Sequence, residues 1–131
     1  KVYKMPVLMA FYNHGNVRME VSEAELLASW KEFFSTGTNW KDLEKEITYE
    51  EYRKISDKNH IQKIMKMPVR FLLKSGEEFF VKKDGAALAL RDEMEEIVKE
   101  PVLAEQMKDV IEYRAMDYYR RRYKEKIKAL L

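Results

Sequence analysis

Apolar positions along the chain fall into short rhythms that change character near residue 76. Residues 5–12, MPVLMAFY, are apolar throughout, and Pro6 suits the first turn of a short helix. Asn13-His14-Gly15-Asn16 closes that element, and VRMEV at 17–21 alternates apolar with polar residues, the period of a strand. Ser22 and Glu25 have capping-box spacing, and Leu26, Leu27, Trp30, Phe33 and Phe34 then recur at helical intervals. This predicts an amphipathic helix ending near Thr36-Gly37, with Trp30, Phe33, Phe34 and Trp40 in the core. A second capping box, Thr48 with Glu51, opens TYEEYRKI, whose apolar side is Tyr49, Tyr52 and Ile55.

The next stretch is HIQKIMKMPVRFLLKSG. Ile61, Ile64, Met65 and Met67 form a helical stripe, and Pro68 has no N–H for a continuing helix. The chain is therefore expected to kink or restart at Pro68, with Val69, Phe71, Leu72 and Leu73 feeding the core. Arg70 and Lys74 fall four apart on the other face. Gly76 stops the helix. EFFVKK and AALAL then flank Asp84-Gly85, a dipeptide that favours a type I′ hairpin. Further on, Asp92, Glu93, Glu95 and Glu96 crowd the start of a helix, where carboxylates complement the dipole. Pro101 opens a long last helix to the end of the chain.

A length of 131 residues suits one domain. A composition of 46% hydrophobic and 37% charged residues fits a folded chain. No apolar run approaches the roughly 18 residues of a membrane span, and KVYKMPVLMAFYNHG, with no long apolar stretch followed by a small-residue cleavage site, is not expected to be a secretory signal. With no cysteine, disulfides and thiolate metal sites are excluded, and a cytoplasmic location is expected. A chain beginning at Lys1 reads as a piece of a longer polypeptide.

The net charge is only +2, but its distribution is uneven. Residues 58–83 carry seven cations (Lys58, Lys63, Lys66, Arg70, Lys74, Lys82 and Lys83) against Glu77 and Glu78. Residues 84–107 reverse the sign. A basic block spanning a helix and the hairpin after it suggests a nucleic-acid surface. The element order matches a winged helix-turn-helix domain of the α+β class: mainly helices, plus a small antiparallel sheet. VRMEV supplies the third strand, and the hairpin is a wing with Lys82 and Lys83 at its tip. The winged-helix core is expected over 5–91 and a C-terminal helical extension over 92–131, within one domain. DNA is the expected partner, gripped at its phosphates by Lys63, Lys66, Arg70, Lys74, Lys82 and Lys83. Arg70 is best placed to reach a base edge.

Motifs for catalysis are missing. There is no GxxxxGK[ST] phosphate loop, no GxSxG elbow, no HExxH and no CxxC. No cofactor or metal is expected in this stretch. His14 and His60 stand in no ligand-like spacing and read as structural or surface residues. A metal-dependent nuclease is a minor alternative, since EFFVKKDG holds acidic and lysine side chains at a sheet edge. A second reading is a protein-interaction module that docks on a neighbouring domain or on itself. Its contacts would come from Tyr118, Arg120, Arg121 and Arg122, with Tyr119 and Tyr123 as packing residues.

The blocks VLMAFYNHGNVRMEV, WKEFFSTGTNWKDL, MPVRFLLKSGEEFF and MKDVIEYRAMDYYRRRY resemble the C-terminal region of bacterial DEAD/DEAH-box helicase-like proteins, some of them restriction-type subunits. The resemblance implies an accessory domain on the same polypeptide as upstream motor domains. ATP and Mg²⁺ would be handled there, and the motor would be the partner within the chain. It carries over no catalytic residue.

Overall fold

The structure is a computed structural model that describes residues 2–13, 16–102, 104–106 and 108–109. It is mostly helical, with a small three-stranded antiparallel sheet, as the α+β expectation required.

Helix α1 spans Lys4–Phe11, with Pro6 in its first turn. The helix stops one residue before the end of the apolar run; Tyr12 is extended and starts a small hairpin, in which β1 (Tyr12–Asn13) pairs with β2 (Asn16–Val17). Helix α2 spans Glu23–Ser35 and has the predicted capping box. The Ser22 hydroxyl accepts from the Glu25 N–H at 3.1 Å, while the Glu25 carboxylate accepts from the Ser22 N–H at 3.0 Å. Gly37 follows with φ +55°, the left-handed conformation that ends the helix region. A 3₁₀ turn over Asn39–Asp42 leads to α3 (Tyr49–Arg53), which opens on the Thr48–Glu51 capping box.

Helix α4 (Asp57–Ile64) passes into a π-helical turn, Met65–Val69, and then into α5 (Arg70–Ser75). The chain stays helical through Pro68 instead of restarting there. A π turn reaches one residue further back for its hydrogen bonds, which accommodates a position that cannot donate. The extra residue rotates everything after it by about 100° relative to a straight α-helix. That rotation explains two departures from the expected core. Val69 and Leu72 are buried, but Met67 and Phe71 are 41% and 46% exposed.

The sheet has the order β3-β5-β4, from β3 (Glu20–Val21), β4 (Phe80–Val81) and β5 (Leu88–Leu90). Val21 pairs with Leu88 and Val81 with Ala89, so the hairpin gains its third strand from the VRMEV segment. Only the second half of that segment joins, because Val17 is taken by the first hairpin. The loop over 82–87 is longer than a two-residue turn. Of Asp84 and Gly85 only Gly85 has positive φ (+82°), so the expected type I′ turn, which needs both, does not form. The Ala86 N–H instead donates to the Lys83 carbonyl at 3.2 Å. The acidic run opens a 3₁₀ turn, Asp92–Met94, and a single α turn, α6 (Glu95–Val98).

The core gathers where α1, α2 and the α4–α5 rod meet the sheet. Trp30, Phe11, Phe34, Leu26, Leu43, Ile64, Leu88 and Val21 are among its fully buried side chains. Trp40 is half-buried, with its ring against Tyr49 and Tyr52, outside the centre where the pattern had placed it. Gly76, at the end of α5, is required for space. A Cβ there would meet the Leu72 carbonyl oxygen at 2.8 Å and the Phe80 ring at 3.0 Å. This close approach turns the chain from α5 into β4. No described helix is long and apolar enough to cross a membrane.

Candidate nucleic-acid interface

The α4–α5 rod is fixed at both ends. Its start is capped by Ser56, whose hydroxyl accepts from the Asn59 N–H at 3.2 Å, and Gly76 ends it. His60, Ile64, Pro68, Val69 and Leu72 are buried along its inner side. Lys66, Arg70 and Lys74 fall at four-residue intervals, and all three are exposed. None of the three has an ion-pair partner among the described residues. Some cations elsewhere on helices are matched: Arg53 lies 3.4 Å from Glu50, and Lys99 lies 3.4 Å from Glu96, whereas Lys4 and Lys58 have no carboxylate partner among the described residues. Like charges four apart on a helix repel by a few tenths of a kcal/mol per pair. The row 66-70-74 is therefore a local cost that an approaching polyanion would relieve.

The other three sequence-predicted contacts divide. Lys82 is exposed on the loop after β4 and makes no ion pair with a described residue. Lys83 is bridged to Glu20 at 3.6 Å and to Asp92 at 4.0 Å. Pairing of β3 with β5 brings Glu20 to the hairpin, so the tip is less positive than the sequence suggested. Lys63 departs furthest from expectation. Its side chain is only 19% exposed, its ammonium lies 3.1 Å from Glu44, and it sits 5.4 Å from the Tyr3 ring centroid. Lys63 points toward the segment after the 3₁₀ turn, away from the line of the other cations. Arg70 is exposed, as a base-reading residue must be. Tyr118, Tyr119, Arg120, Arg121, Arg122 and Tyr123 lie outside the described residues.

Two features had little or no signal in the sequence. Lys4, on α1, places its ammonium 3.8 Å from the centroid of the Phe71 ring, a cation–π contact across two elements. Beside it a cleft of about 340 Å³ is lined by Tyr3, Lys4, Met67, Pro68 and Phe71. A proline inside the apolar stripe was the one available hint that residues 67 and 71 would turn outward. The second feature is His60, which is 3% exposed. Its Nδ1 accepts from the Trp30 indole N–H at 3.1 Å, so the neutral ring carries its proton on Nε2. Burial pushes its pKa below the ordinary value, and the charge on Lys31 acts in the same direction. His60 is thus a structural residue that fixes α2 against α4.

Among the described residues no three His, Asp or Glu side chains are grouped to hold a metal ion. Comparison with protein-family models, curated proteins and solved structures finds no match to the chain.

Proposed function

We propose that this chain is a non-catalytic DNA-binding accessory domain of a helicase-like ATPase, built as a winged helix whose α4–α5 rod and β4–β5 hairpin meet the phosphate backbone. The observation that carries the reading is the unmatched row Lys66, Arg70 and Lys74 on the exposed side of the rod, directly before the hairpin. The sheet order β3-β5-β4 supports the winged-helix part, because the strand before α2 pairs with the returning strand of the hairpin. One departure is plain. Residues 36–56 separate α2 from α4, where a helix-turn-helix has a turn of about three or four residues. Contacts come from Lys66, Arg70, Lys74 and Lys82, with Lys83 available once its two long ion pairs exchange for phosphate. Lys63 is not among them. The accessory role beside a motor rests on the sequence resemblance alone.

Such a surface binds with little sequence preference and weakens steeply with salt, because each phosphate neutralised releases counterions. Fluorescence anisotropy with a labelled duplex tests this directly. Arg70→Glu is expected to lower affinity at least tenfold at low salt, with the fold intact by circular dichroism. Unchanged affinity would remove the rod from the interface.

A second reading, a module docking on protein, is favoured by Ile97 and Val102, which are 47% and 57% exposed after the sheet. Concentration-dependent sedimentation that Ile97→Glu abolishes would support that reading for self-association.

A further inference from the structure

We propose that the cleft between α1 and the π turn takes an unpaired nucleobase, so that the ligand of this face is single-stranded nucleic acid in preference to duplex. The inference rests on the DNA-binding reading above and narrows its substrate. Phe71 is 46% exposed and Met67 41% exposed, and both face the cleft of about 340 Å³. That volume lies at the small end of ligand sites. Tyr3, Pro68 and the Phe71 ring give it flat, apolar walls, and no carboxylate lines it. Lys4 stands at 3.8 Å over Phe71, so one face of that ring is covered by a cation and not by core.

Charge complementarity says what should enter. Lys66 and Arg70 each precede a cleft residue by one position, about 100° round the helix. Lys4 completes a border of cations with no carboxylate partner among the described residues. An apolar peptide would gain nothing from that border, and a duplex would satisfy the cations but present no free base face to the cleft. A single strand uses both, with stacking in the cleft and phosphates on the rim. Stacking on Phe71 replaces an exposed cation–π contact, the weaker of the two interactions, and frees Lys4 for a phosphate.

The test compares a labelled oligothymidine with a duplex of matched length, using the full 131-residue chain. Phe71→Ala should lower affinity for the single strand about tenfold and leave the duplex within about twofold, since the variant keeps every charge. Phe71→Leu, which preserves apolar bulk, should fail to restore single-strand binding, whereas Phe71→Tyr should restore it. Rescue by leucine would mean that Phe71 only packs, and would overturn the proposal. Equal loss on both ligands, or no loss on either, would overturn it too. So would wild-type binding to duplex alone, which leaves the phosphate-contact reading standing. Wild-type binding to neither ligand would defeat the broader reading as well.

Discussion

At the scale of single residues, burial and pairing decide which side chains are free to act. His60 shows the cost of burial. Its pKa is held below the ordinary imidazole value of about 6.5, chiefly by desolvation, so the unfolded chain binds the proton more readily. The stability that neutral His60 contributes is therefore complete above about pH 6.5 and is lost as pH falls toward its folded value. Protonation also converts Nδ1 into a donor facing the Trp30 N–H, so the bond between α2 and α4 is lost. Thermal melts from pH 7.5 to 5.5 should show a fall in Tm that His60→Gln flattens; a wild-type profile level across that range would contradict the assignment. Glu25 has the same sign, in a more acidic range. The hydrogen bond from the Ser22 N–H is the main reason its carboxyl is held below its usual pKa, so its contribution persists above that usual value and disappears in acid. Ser22→Ala should cost about 1 kcal/mol in urea denaturation, the usual loss for an N-cap.

At the scale of elements, the π turn is the device that sets the surface. Pro68 removes a donor, the helix widens by a residue, and Met67 and Phe71 turn outward beside Lys66 and Arg70. Pro68→Ala allows a regular α turn and should draw Phe71 inward; quenching of a reporter at position 71 would measure the change, and unaltered exposure would contradict the link. Gly76→Ala should destabilise by roughly 1–3 kcal/mol through overpacking, because the Leu72 carbonyl that it meets is backbone and cannot swing away. Much of this level was legible beforehand. Both capping boxes, the α2 stripe and the hairpin with its third strand follow from spacing and turn chemistry. The outward turn of Met67 and Phe71 was hidden, because periodicity assumes a constant pitch. The pairing of Lys83 with Glu20 and Asp92 was also hidden, since it depends on strand register and not on neighbours in sequence. Lys63 looked like its basic neighbours until the loop carrying Glu44 folded against it.

At the scale of the whole molecule, net charge says little and the sorting of charge says more. A chain of net charge +2 has weak long-range attraction for a polyanion, so the proposed DNA binding would have to come from a local concentration of unmatched cations. The sequence indicated this block; the fold kept part of it and spent the rest on internal pairs. The most direct measurement is the salt dependence of DNA affinity for the wild type and for two variants of identical net charge. One variant is Lys66→Glu/Arg70→Glu/Lys74→Glu. The other reverses Lys41, Lys45 and Lys54, which are exposed but lie off the rod. A clustered phosphate-contacting face predicts that the first variant loses most of its affinity and that its log–log salt slope falls by about 0.9 for each phosphate contact removed. The second variant should keep its slope. Equal losses in the two variants would show that overall charge and not this face holds the DNA, contradicting the account.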